Sequence, residues 1–135
     1  MGENGLKELI GIVTIIVVVS IASLILQTYL EKTSDEMVGK LEELKKEIRE
    51  AVKNQNNEKA VSISNDILQK WEEVNEIWSM VIIHEELDTI KLSMLEVNAA
   101  VEAGSFDDGL EEIDKTIFLV EHVKEKEALM LKNIF

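Results

Sequence analysis

The sequence predicts an all-α protein: an N-terminal transmembrane helix followed by an antiparallel bundle of three to four helices, arranged as two helical hairpins. Three observations carry this. Residues 9–26, LIGIVTIIVVVSIASLIL, contain no charged residue. The chain has no proline, six glycines and only 4% aromatic residues, so little interrupts long helices. From residue 31 onward, apolar residues recur at helical spacing among many charges. The chain therefore divides into a short tail (1–8), a membrane segment or signal anchor (9–30) and an acidic helical domain (31–135).

As a helix, residues 9–26 are about 27 Å long and residues 9–30 about 33 Å. That suffices to cross a hydrocarbon core of about 30 Å. Ser20-Ile21-Ala22 offers the small-x-small pattern of a signal-peptide cleavage site. Leu24, Ile25, Leu26, Tyr29 and Leu30 keep the segment apolar beyond it, so a retained anchor is the adopted reading, with Tyr29 as an interfacial aromatic. Orientation is weakly encoded. Lys7 is offset by Glu3 and Glu8, whereas Lys32, Lys40, Lys45, Lys46 and Arg49 follow the span. A positive-inside count favours a cytoplasmic domain, but the rule loses force for long domains, and charge alone leaves the two orientations even.

Acidic residues number 27 against 14 basic ones, for a net charge of −13. Such a surface repels phosphate backbones and anionic headgroups, which argues against nucleic-acid binding. It tolerates cations or basic partner surfaces, and it also simply keeps a bundle soluble. With no cysteine, disulfides, thiol nucleophiles and thiolate metal sites are excluded.

The acidic domain matches itself at an offset of 49 residues. Val38, Leu41, Ile48, Ala51 and Val52 align with Leu87, Ile90, Val97, Ala100 and Val101. Val61, Leu68, Trp71 and Val74 align with Leu110, Ile117, Val120 and Val123. The polar segments Asn54–Asn57 and Gly104–Asp107 fall at matching places. Each half thus reads as helix, short turn, helix, and two such hairpins bury their stripes against each other. Two unrelated amphipathic helices can also align in this way. Gly104 suits a helix end, and Ser105 with Asp108 has capping-box spacing for the next helix start. Thr33 with Glu36 has the same spacing, which predicts that the membrane helix ends or bends near Thr33. The stretch Met80–Glu86, MVIIHEE, contains no turn former. A helix continuing through it from Glu58 to Ala103 would be about 69 Å long and would drive charges into the membrane. A break near Ile82–Glu85 is therefore expected.

His84-Glu85-Glu86-Leu87-Asp88 is the one cluster with candidate metal ligands. His84 and Asp88, four apart, share a helical face with Glu85 nearby. The pattern is not His-Glu-x-x-His, nor the Glu-x-x-His of di-iron bundles. His122 with Glu121 and Glu125 adds ligands only if the helices converge. The plainer reading is His84 bonded to a carboxylate at a helix junction. Trp71 and Trp78, seven apart on one stripe with Val74 and Val81, read as core. With His84 they are also the residues most suited to contact a ligand or partner. Met80, Met94, Met130 and Phe118 read as core as well. The pairs Glu42-Glu43, Glu72-Glu73 and Glu111-Glu112 read as solvated surface, and no catalytic residue or cofactor is assigned. The final ALMLKNIF, residues 128–135, is read as docking on the bundle, with the membrane surface or a partner as the other options.

LEKTSDEM, WEEVNEIWSMVIIHEELDTI and VEHVKEKEALMLKNIF together resemble the domain-of-unknown-function family 4363 of clostridia and bacilli. The Trp-x6-Trp followed by His-Glu-Glu-Leu-Asp is the most specific part. The resemblance implies a small membrane-anchored helical protein of Gram-positive bacteria whose helical domain faces outward, in the neighbourhood of multi-pass membrane proteins. It implies no catalytic residue. The expected role is a non-enzymatic accessory or scaffold subunit. Its partners would be the bilayer, through residues 9–30, and another membrane or envelope protein. The alternative is an envelope domain that senses a ligand or cation through His84, Glu85 and Asp88.

Overall fold

The computed structural model describes residues 2–134. Among them are four helices: α1 (Glu3–Asn54), α2 (Glu58–Trp78), α3 (His84–Ala103) and α4 (Phe106–Ile134). α1 packs on α2 and α4, and α3 packs on the same two helices. The result is a closed antiparallel ring around one core, and the expected three to four helices resolve to four.

The buried positions explain the packing. In α2 they are Ala60, Ser64, Ile67, Trp71, Val74 and Trp78. In α1 they run Leu30, Thr33, Ser34, Met37, Leu41, Leu44, Ile48 and Ala51. The alternating steps of three and four average 3.5 residues, the period at which a buried seam stays on one face only when helices supercoil left-handedly. In α4, Ile113, Thr116, Val120, Val123 and Glu127 keep the same beat. Every buried α2 position maps onto a buried α4 position at the 49-residue offset: Ala60 onto Gly109, Ser64 onto Ile113, Ile67 onto Thr116, Trp71 onto Val120, Val74 onto Val123 and Trp78 onto Glu127. The internal repeat is thus one of burial as well as of sequence.

The repeat extends to the turns. Gln55 (φ 54°) and Gly104 (φ 70°) both take the left-handed conformation. Beyond them, Asn56 N–H donates to Ala51 C=O at 3.3 Å and Ser105 N–H to Ala100 C=O at 2.9 Å. Each is the long bond of a Schellman ending, which satisfies carbonyls the helix leaves open. A side chain at left-handed φ costs about 1 kcal/mol that glycine avoids. Gln55→Gly is therefore expected to leave the fold stable or raise its melting temperature by a few degrees. Gly104→Ala is expected to lower it by a comparable amount, although nothing lies within 4 Å of an added Cβ there. Equal melting temperatures for the two variants would contradict this account.

The break between the halves lies at Ser79–Ile83. Val81 and Ile82 N–H groups both donate to Trp78 C=O, at 3.1 and 2.9 Å, and Ile82 is buried. Ile83 is extended and has no side-chain cap, so the turn is imposed by tertiary packing. The Trp71–Trp78 seam and the Leu87–Ile90 seam must face the same core, and only a reversal lets both do so.

The expected end or bend at Thr33 is not there. α1 is a single helix of 52 residues, about 78 Å long. Thr33 is buried and its Oγ1 donates back to Tyr29 C=O at 2.7 Å, so it closes onto its own helix instead of capping a new one. Met94 is core as expected, but Met80, Met130 and Phe118 are exposed. They fall off the heptad seam, and apolar type alone did not distinguish them. The tail from Ala128 docks along α1: Ala128, Leu131 and Lys132 line a groove with Ser20, Ser23, Leu24 and Gln27. Phe135 lies outside the described residues.

Candidate functional site

Trp78, His84, His122 and Glu127 gather at one end of the bundle, where α1 enters, α2 turns into α3, and α4 overruns its neighbours. α3 has 20 residues and α4 has 29, so α4 continues past the start of α3 and onto α1. Both tryptophans lie in the core near this end. Trp71 and Trp78 are fully buried and meet edge to face with ring centroids 5.7 Å apart, a favoured aromatic geometry. Trp78 Nε1 donates to Thr33 Oγ1 at 2.8 Å, tying α2 to α1. Burial denies both rings a ligand or partner, so neither serves as a contact platform. Trp71 Nε1 has no acceptor among the described residues.

His84 opens α3 and is exposed, as are Glu85 and Asp88. Among the described residues no three His, Asp or Glu side chains gather as a metal site. His122 is exposed on α4 and stacks on Phe118 at 5.8 Å. It shares a shallow groove of about 310 Å³ with Ile83, Glu85, Glu86 and Val123. Glu42, Glu43, Glu72, Glu73 and Glu111 are exposed, and Glu112 is half-buried beside Lys115 at 3.0 Å.

The residue that sequence reasoning missed is Glu127. It is only 8% exposed and sits where the first half of the repeat places Trp78. Its signal was present: it follows Val123 by four on the buried stripe. Burial pushes its carboxyl up from the ordinary carboxylate range, and the nearby Glu86 charge adds to this against the opposing pull of Lys126. Glu86 Oε1 accepts from Lys126 at 2.6 Å, while Glu86 Oε2 is buried without a partner among the described residues. An acid whose folded pKa is raised binds more protons folded than unfolded, so its contribution to stability falls as pH rises through that range. Glu127→Gln is expected to be more stable than the parent at neutral pH. The gap should close as pH drops through the carboxylate range. Parallel melting curves of the two proteins across pH check this, and a pH-independent difference would contradict it. The parent–variant difference is the quantity to follow, because other carboxylates titrate in the opposite sense. Glu96, for instance, is held below its usual range by a hydrogen bond from Lys115.

On the far side of this end, the part of α1 before Ser20 runs clear of the other helices. The most apolar stretch of α1 is long enough to cross a membrane, and none of it is buried in the protein. A core helix of the same composition would be covered. The fold and this end together define the class: an all-α four-helix protein whose first helix extends into an uncovered apolar segment. Residues 24–134 match the family described as Domain of unknown function (DUF4363), and the chain belongs to that family. Neither the curated proteins nor the solved structures gave a match.

Proposed function

We propose that this protein is a single-pass, membrane-anchored scaffold: a rigid acidic bundle that binds another membrane or envelope protein, with no chemistry of its own. The observation that carries the reading is the continuity of α1. One helix holds both the uncovered apolar segment and the core residues Met37, Leu41, Leu44 and Ile48, so no hinge separates anchor from domain. A rigid mount suits a part that presents a surface at a fixed height and angle. The surface is acidic, and the exposed Leu92, Leu95 and Phe118 supply apolar contact points among the charges. The family resemblance, which associates such chains with multi-pass membrane proteins and an outward-facing domain, supports the same reading.

The test is affinity purification of the full-length protein from gently solubilised native membranes, with mass spectrometry of what accompanies it. A single multi-pass membrane protein in near-stoichiometric amount is expected. Repeated recovery of the protein alone would overturn the scaffold reading.

A further inference from the structure

We propose that the end of the bundle formed by the Ser79–Ile83 turn and the last two turns of α4 is seated in the interfacial zone of the same bilayer that α1 crosses. The inference rests on the anchor reading above and goes beyond it. The domain does not stand off on a stalk; its rim is a second, monotopic membrane contact.

The first argument is one of level. The charge-free part of α1, residues 9–30, is bracketed by Glu8 and Glu31 and is about 33 Å long. A hydrocarbon core of about 30 Å centred on it ends near Tyr29. The rest of the protein already reaches α1 below that level. Ser20, Ser23, Leu24 and Gln27 line the groove shared with the α4 tail. Ala22, Ile25, Leu26 and Tyr29 line another shared with Ile77 of α2. From Ser20 to Tyr29 is about 14 Å along the helix. No linker lies between span and domain, and the last turns of α4 overlap the outer part of the span.

The second argument is the chemistry this rim shows outward. Met80 is 73% exposed, Ile83 59%, Leu129 61% and Met130 51%. The opposite end of the bundle, by contrast, exposes Gln55, Asn56, Gly104 and Ser105. Among the described residues, the end adjoining the apolar segment groups four exposed large apolar side chains, whereas the opposite end shows Val52. In residues 128–134 the sole charge is Lys132, whose long stem can carry its ammonium to the headgroups. Three polar side chains of the outer span turn toward protein: Ser20, Ser23 and Gln27 line the α4 groove, as intramembrane polar groups do when a neighbouring helix covers them. Ser20 Oγ and Thr28 Oγ1 also bond their own helix carbonyls, at 2.8 and 2.9 Å. Apolar side chains on a rim at this depth partition into the headgroup–acyl boundary, the environment that interfacial helices occupy.

The experiment uses the full chain in phosphatidylcholine nanodiscs at one protein per disc. The native sequence has no cysteine, so Val17→Cys, Asn56→Cys, Met80→Cys and Leu129→Cys each carry a single spin label. All four positions are exposed, so the labels do not disturb the core. Accessibility to oxygen against a water-soluble nickel chelate reports depth. Val17 is expected deep, Asn56 in water, and Met80 and Leu129 at the boundary, with an oxygen-to-nickel ratio several-fold above that of Asn56. A deep Val17 with Met80 and Leu129 as nickel-accessible as Asn56 would overturn the seated rim and leave the anchor standing. A nickel-accessible Val17 would overturn the anchor reading and the rim with it. Protection of Met80 that appears only when discs hold two copies would assign the rim to a second chain, and would equally overturn the proposal.

Discussion

Trp78→Ala is expected to lower the stability of the bundle by about 3–5 kcal/mol, the range for removing a fully buried large aromatic. Trp78 fills the core where α2 ends, stacks edge-on against Trp71 at 5.7 Å and donates to Thr33. Truncation therefore removes packing, an aromatic pair and the polar tie between α1 and α2 together. Phenylalanine separates these contributions. Trp78→Phe keeps most of the packing but loses one buried hydrogen bond, worth about 1 kcal/mol. Thr33 keeps its bond to Tyr29. Trp71→Phe removes an N–H without an acceptor among the described residues, so it is expected to cost less than Trp78→Phe. Denaturant unfolding of full-length protein in micelles, followed by far-ultraviolet circular dichroism, measures all three. A Trp71→Phe loss equal to or larger than that of Trp78→Phe would contradict the assigned hydrogen-bond role.

Lys32→Pro is expected to cost about 3 kcal/mol or more and to bend α1 between its apolar segment and the bundle. Proline there removes the N–H that bonds the Thr28 carbonyl and sets its ring against that oxygen. Lys32 is exposed, so lost side-chain packing contributes little and the effect isolates backbone continuity. Labels at Ile12 and Lys46, both exposed, lie about 51 Å apart on a straight helix. Pulsed electron resonance should give a narrow distribution near that distance in the parent. The proline variant should show a shorter, broader one. A broad distribution in the parent would remove the rigid mount on which the scaffold reading depends.

Much of the candidate site lay within reach of the sequence, and the reasons are local. The heptad beat through Ala60, Ile67, Trp71, Val74 and Trp78 identifies the buried face because helical periodicity depends only on neighbours along the chain. The 49-residue repeat places Gln55 opposite Gly104 and Glu127 opposite Trp78. A reading that followed every heptad position, polar ones included, would have found the buried carboxylate. Thr33 misled because a capping box and a buried threonine bonded to its own helix have the same sequence spacing; only the neighbour, Trp78, distinguishes them. His84 drew notice as a ligand type, but its position as the exposed first residue of α3 depends on where the turn falls. That turn has no glycine, proline or polar cap to announce it.

The sequence by itself determined the helical class, the uncharged segment at residues 9–26, the acidic surface and the doubled hairpin. Each follows from composition or from a period that one helix carries alone. Tertiary structure decided the rest. α1 runs unbroken through Thr33 because the Thr33 hydroxyl bonds back to its own helix and Trp78 packs and donates to it from α2. The chain reverses at Ser79–Ile83 because two seams must share one core. Met80, Ile83, Leu129 and Met130 form an apolar rim because α4 is longer than α3 and overruns it onto the outer turns of the apolar segment. Which side chains face each other across a bundle is set by the relative lengths and registers of four helices, and no window along the chain contains that information.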